Sequence, residues 1–261
     1  MTLLQRTDTG AIAHLTLNAP ERLNALSDEM IAALQAELDT LRDQPHIRVV
    51  ILSGAGKVFC AGHDLKQMTQ GRQAEDGGRA YFADLFDRCA AMMTAIRDLP
   101  QPVIAQVHGI ATAAGCQLVA ACDLAVADPA TKFGVNGVNI GLFCSTPMVA
   151  LSRNIPRKKA FEMLTTGRFI PADEAERLGL INRIAAPGAL EQETQALAET
   201  IAAKLGAAVR IGKRAFYNQL ELGLDDAYAY TGEVMVENML YRDTAEGIAA
   251  FLDKRDPDWK Q

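Results

Sequence analysis

Residues 101–129 read QPVIAQVHGIATAAGCQLVAACDLAVADP. Pro102 precedes Val103-Ile104-Ala105-Gln106-Val107, a short run rich in β-branched residues that reads as a strand. Gly109 to Gly115 is a turn of small residues, followed by a helix near 114–121 and a second strand near 123–127. A strand, a turn, a helix and another strand in so few residues predict parallel pairing in an α/β fold.

The same alternation extends to both sides. Upstream, residues 2–7 and 11–17 read as strands joined at Asp8-Thr9-Gly10. Ile12, His14 and Thr16 alternate with Ala13, Leu15 and Leu17, the period of a half-buried strand. After the loop NAPERLNAL, Ser27 predicts a helix N-cap, with Asp28 and Glu29 favourable in the first turn. Ile31, Leu34, Leu38 and Leu41 then fall on one helical face. Val49-Val50-Ile51-Leu52 is a buried strand, and a helix follows near 78–98. Downstream, 128–143 reads as a loop, and Ser145-Thr146-Pro147 as a cap with proline near the first helical position. Helices dominate from there, apart from a short strand near 180–185.

The chain has 261 residues, 49% hydrophobic and 22% charged, enough to bury a core without disulfides or metals. Its formal net charge is −6 with no basic block, which argues against nucleic acid and anionic membrane as partners. The five cysteines are odd in number and form no secreted framework, so reduced thiols and a cytoplasmic location are expected. Cys116 and Cys122 lack a histidine-rich partner segment, so no metal site is expected. The opening MTLLQRTDTGAIAHLTL does not read as a signal peptide, and no apolar run reaches the roughly 20 residues of a membrane span.

Two stretches carry candidate chemistry. Lys57-Val58-Phe59-Cys60-Ala61-Gly62-His63-Asp64-Leu65-Lys66 ends a strand in small residues. Gly109 to Gln117 does the same before a helix, where free N–H groups carry partial positive charge. Facing each other, two such turns would supply N–H donors to a developing oxyanion; equally, small residues there serve close packing. Gly54-x-Gly56-Lys57 is not a phosphate-binding loop, because Val58 follows Lys57.

The strings KVFCAGHDLKQM, QPVIAQVHGIATAAGCQLVAACDLAVADPATKFGVNGVNIGL and EMLTTGRFIPADEAERLGLINRI resemble the crotonase (enoyl-CoA hydratase/isomerase) superfamily, in the right order and over nearly the whole chain. The resemblance implies a spiral of ββα repeats over residues 1–190 that binds acyl-coenzyme A. It implies a helical region over 191–261 that builds homotrimers or hexamers. No bound cofactor is implied; a coenzyme A thioester would be substrate or ligand. The backbone N–H groups of His63 and Ala114 match the oxyanion-hole positions, with the His63 imidazole a wall or a solvent-facing group rather than the base. Arg22, Lys57, Ala61 and Lys66 match positions beside coenzyme A, the three basic ones near its phosphates and adenine.

Two departures from the family pattern bear on activity. The two hydratase glutamates, which activate water and protonate the α carbon, are replaced by Gln117 and Gly137. Hydratase activity is therefore expected to be weak, and restoring both glutamates to raise it. With GVNIGLFCSTP and PRKKAFEMLTTG the chain is similar to one group of that family, the enoyl-CoA hydratase domain-containing protein 3 group. AGHD and VNIGL are also similar to family decarboxylases, with Cys144 where those carry a tyrosine. Alternative readings are a decarboxylase-like or thiol-assisted acyl-CoA enzyme, or a non-catalytic acyl-CoA-binding regulatory oligomer. Cys144 lies just before a predicted helix N-terminus, which predicts a thiol pKa below the free value of about 8.5 and a nucleophile or oxidant-sensing thiol; the alternatives are a buried, inert cysteine packed as a small hydrophobe, or an exposed residue without a role.

Overall fold

Strand β1 (Leu4–Thr9) and strand β2 (Ile12–Leu17) pair antiparallel, with Thr9 opposite Ile12. The computed structural model, which describes residues 2–260, thus places the turn at Gly10-Ala11. Asp8 and Thr9, expected in the turn, complete the strand instead. β2 then leads a parallel array of β3 (Val49–Gly54), β4 (Val103–Val107), β6 (Leu124–Ala127) and β9 (Arg183–Ile184). The six strands run in the order β1-β2-β3-β4-β6-β9.

Both faces of this sheet are covered, which is why its central strands are continuous apolar runs. On one face Ala13, Leu15, Leu17, Val50, Leu52 and Val103 join a core with helices α1 (Asp28–Arg42), α3 (Arg79–Asp98) and α4 (Ala114–Ala121). On the other, Ile12, Val49, Ile51, Ile104 and Val126 meet Ala198 and Leu197 of α8 (Leu190–Ala202). α1 begins as its sequence predicts: Ser27 Oγ accepts the Met30 N–H at 3.2 Å, and Met30, Ile31, Leu34, Leu38 and Leu41 are buried.

A second, three-stranded sheet joins β5 (Ile110–Thr112), β7 (Lys132–Gly134) and β8 (Phe169–Pro171) in the order β5-β7-β8. It lies in segments that read as turn, loop and helix. Each strand is three residues long, too short for a period-two pattern to register. The loop expected over 128–143 also contains a 3-10 helix, Asn136–Ile140.

Three helices close the chain: α9 (Gly206–Gln219), α10 (Leu224–Met239) and α11 (Arg242–Asp253). α9 is fastened to the sheet by a buried cluster. Lys213 Nζ donates to Asp123 Oδ2 at 2.6 Å and to the carbonyls of Ile96 and Gln101, each at 3.0 Å. Asp123 also accepts the Val103 N–H at 2.6 Å and the Tyr217 hydroxyl at 2.8 Å. Burial pushes the Asp123 pKa up and the Lys213 pKa down, against the attraction between them. α10, by contrast, has no buried residue, and Leu224, Tyr228, Met235 and Val236 stand exposed on it. Among the described residues no helix is long and apolar enough to cross a membrane.

Candidate functional site

The two stretches singled out in the sequence lie side by side. Phe59 N–H donates to His108 O at 3.0 Å, Cys60 N–H to Ile110 O at 3.2 Å, and Thr112 N–H to Cys60 O at 3.0 Å. Segment 59–62 therefore runs parallel to β5, in the bridge Cys60–Ala111. A Cβ built on Gly115 would overlap the Cys60 carbonyl, so glycine is what lets the first turn of α4 rest on that strand. A Cβ built on Gly62 would lie 3.1 Å from the Ala114 nitrogen. The His63 turn and the start of α4 are thus in direct apposition.

Ala114 is the first residue of α4, so its N–H has no partner within the helix. Neither it nor the His63 N–H finds a hydrogen-bond acceptor among the described residues. The preceding Ala113 has φ 50° and ψ −120°, a conformation that costs an alanine about 1–3 kcal/mol. Its own N–H is spent on Gly134 O at 2.9 Å. That bond and the packing of Gly115 on Cys60 hold the chain in this strained corner, directly before the Ala114 N–H. The His63 ring packs edge-on to Phe86, with centroids 5.7 Å apart. Both its nitrogens are buried without a partner, and burial lowers its pKa, outweighing the Leu26 backbone and the Asp28 charge. A neutral, unpartnered imidazole suits a wall.

Gln117 lies one helical turn beyond Ala114, on the same face of α4. It is buried, and its Oε1 has no hydrogen-bond partner. Gly137 is buried in the 3-10 helix after β7. A Cβ there would run into the Leu142 carbonyl oxygen and lie 2.9 Å from Cys144 Sγ. Leu142 N–H in turn donates to Gly137 O at 3.0 Å, so the segment closes on itself. Position 137 therefore has no room for a side chain without movement of the 137–144 segment. The expectation that restoring both glutamates raises the rate presumed an otherwise intact pocket, and that condition is not met at 137.

At Cys144 the buried, inert reading holds, and the expected low thiol pKa is corrected. It is buried, and burial raises its thiol pKa, against an opposing pull from the Gly137 backbone. Helix α5 (Pro147–Asn154) begins three residues further on. Its leading residue, Pro147, has no N–H, and the Met148 N–H donates to the Cys144 carbonyl at 3.0 Å. Val149 N–H bonds Thr146 O at 3.2 Å, so the N–H groups of the first turn are spent on backbone carbonyls rather than on the thiol. Cys144 is expected to react with iodoacetamide at neutral pH more slowly than free cysteine. Mass-spectrometric mapping showing it modified as fast as free cysteine would contradict this.

Of the candidate coenzyme A residues, Arg22 and Lys66 meet around one carboxylate. Arg22 Nη1 lies 3.9 Å from Asp64 Oδ2. Asp64 caps α2 (Leu65–Gly71), its Oδ1 accepting the N–H groups of Lys66 at 2.8 Å and Gln67 at 3.2 Å. Lys57 is exposed on the loop after β3, and Ala61 donates its N–H to Leu23 O at 3.1 Å. Sequence reading passed over Asn24, which ties these loops together. It is fully buried at φ 52°, and Oδ1 accepts Ala19 N–H at 3.0 Å. Its Nδ2 donates to Ala55 O at 2.8 Å and Val58 O at 2.9 Å. The available signal was an asparagine, a residue that tolerates the left-handed region, in the middle of NAPERLNAL.

Residues 7–261 match the family described as Enoyl-CoA hydratase/isomerase. The chain is 46% identical over 259 residues to the Xenopus laevis protein named enoyl-CoA hydratase domain-containing protein 3, mitochondrial, covering 99% of this chain and 86% of that one. Its fold superposes on the crystal structure of an enoyl-CoA hydratase from Mycobacterium smegmatis with a TM-score of 0.95, at 53% identity and 98% coverage of both chains. The human enoyl-CoA hydratase domain-containing protein 3 structure gives a TM-score of 0.94 at 45% identity, covering 98% of this chain and all of that one. The expected crotonase-type α/β fold and the resemblance to this group are both borne out.

Proposed function

The chain belongs to the enoyl-CoA hydratase/isomerase family, and from that premise we propose that it binds acyl-coenzyme A thioesters through an oxyanion site with little hydratase activity. The observation that carries this is the apposition of the Gly62-His63 turn to Ala114, with two N–H groups left unbonded. They would hold the thioester oxygen as it gains charge, an effect worth about 10²–10³-fold per donor in rate. Arg22, Lys57 and Lys66 would face the phosphates and adenine, with Ala61 lining the same ligand. No general base stands at 117 or 137. The nearby carboxylates are occupied: Asp64 caps α2, and Asp28 binds Arg88 at 2.6 Å.

The empty carboxylate positions favour one second reading, loss of carbon dioxide from a malonyl-type thioester. There the bond from the α carbon to the carboxylate breaks, and its electron pair enters the thioester enolate. The enolate oxygen rests on the two N–H groups, and the α carbon takes a proton from water. This asks for oxyanion donors and no base. A non-catalytic acyl-CoA-binding oligomer would keep the binding and show no turnover. Titration with coenzyme A followed by turnover on enoyl, 3-hydroxyacyl and malonyl thioesters tests all three. Failure to bind coenzyme A would end the proposal, and hydration as the fastest reaction would end the low-hydratase reading.

The same premise supports assembly as a homotrimer or hexamer through α9 to α11. Phe251 and Leu252 of α11 are 83% and 72% exposed, and Leu240, which follows α10, is 81% exposed. An open groove of about 510 Å³, lined in part by Arg214, Tyr230, Val236 and Leu240, would seat a second copy. Sedimentation at micromolar concentration should show trimers or larger, and a stable monomer would refute this. We place the protein in the cytoplasm, on the support of five cysteines that are all free; the mitochondrial location belongs to the Xenopus laevis relative by its name.

A further inference from the structure

We infer that Asn24 is a positioning residue for the coenzyme A phosphates, setting the loop that carries Lys57 against the loop that carries Arg22. The inference rests on the coenzyme A reading above. Asn24 Nδ2 grips the carbonyls of Ala55 and Val58, which bracket Gly56 and Lys57. Its Oδ1 accepts the Ala19 N–H, and its own N–H donates to Ala19 O at 3.0 Å, closing the loop that presents Arg22. The amide orientation is unambiguous, because the two donors face carbonyls and the oxygen faces an N–H.

Leu23 and Asn24 are consecutive residues at φ 55° and 52°. Two side-chain-bearing residues in the left-handed region are unfavourable, and such strain persists only where the surroundings enforce it. The surroundings here are the segment with the proposed oxyanion donor. Leu23 O accepts the Ala61 N–H at 3.1 Å, and Leu26 N–H donates to Gly62 O at 2.8 Å. Residues 19–26, which carry Arg22, are thus bonded both to the 55–58 loop that carries Lys57 and to the 61–63 turn. Lys57 and Arg22 are long and exposed, so their aim depends on their backbones. An ion pair or phosphate contact gains little from a side chain that must first be ordered. One buried amide fixes both backbones before ligand arrives.

The test is a calorimetric coenzyme A titration of wild type, Asn24→Ala, Lys57→Ala and the double variant. Asn24→Ala should weaken coenzyme A binding by about tenfold or more, as expected when charged contacts lose their alignment. In the Lys57→Ala background the same change should cost clearly less, because residues that act through one contact are not additive. The dissociation constant of Asn24→Ala should also rise less steeply with salt than that of wild type. If Asn24→Ala does not fold, Asn24→Asp, which keeps the shape and the Oδ1 acceptor but loses the two Nδ2 donors, reads the same coupling. An equal loss in both backgrounds, with an unchanged salt slope, would make Asn24 merely structural and overturn the inference. Wild type failing to bind coenzyme A would instead bring down the reading beneath it.

Discussion

Crotonyl-coenzyme A should be hydrated at least about a thousandfold more slowly than by a relative carrying both glutamates, since each acid–base role contributes roughly 10²–10⁴-fold. Gln117 keeps the length and shape of a glutamate at the first position, so Gln117→Glu should recover part of the rate. Gly137→Glu should recover none. Its Cβ would strike the Leu142 carbonyl and press on Cys144 Sγ, so the variant must displace the 137–144 segment. Overpacking of that kind costs about 1–3 kcal/mol or more. Enoyl absorbance and urea unfolding, measured on both single variants, separate the two effects. A wild-type rate within tenfold of the two-glutamate relative would mean that another group activates water. A faster Gly137→Glu enzyme with unchanged stability would mean that the segment opens readily.

Lys213→Met should be among the most destabilising single substitutions outside the site. It leaves Asp123 buried with its charge uncompensated, along with the Ile96 and Gln101 carbonyls that Lys213 now satisfies. Breaking one side of a buried ion pair costs about 3–5 kcal/mol. In a chain of this size that lowers the melting temperature on the order of 10 °C. The loss should appear first as detachment of α9 from the sheet, seen as faster amide exchange in residues 206–219 than in β4. Uniform exchange across the whole chain at the wild-type rate would show that α9 docks by apolar contact alone.

What could be read from the sequence was what depends on near neighbours. Ser27 caps α1 because its hydroxyl reaches three residues along its own chain, and Val103 to Val107 form a strand through their own branching. Gln117 and Gly137 were read as replaced glutamates from the family resemblance, not from the residues alone. The closure of position 137 was not legible, since it depends on a carbonyl five residues away folding back past Gly141, at φ 79°. Cys144 misled for a similar reason. A helix start supplies free N–H groups in general, but here proline removes one and the Cys144 carbonyl takes another. The three-residue strands of the small sheet were missed because their pairing, not their composition, makes them strands.

The hairpin leaves β1 at one end of the large sheet, with its outer edge unpaired. Open edges invite pairing with another chain, which is how folded proteins begin to aggregate. β1 carries Arg6, bonded to Asp8 at 2.8 Å, Glu37 at 2.8 Å and Gln44 at 2.6 Å. The Arg6 guanidinium holds the Asp8 carboxyl below its ordinary range, so this strand stays charged even in mild acid. At the opposite end β9 is only two residues long, too short to template a partner. The sheet therefore resists growth at both margins, which confines self-association to surfaces away from its edges.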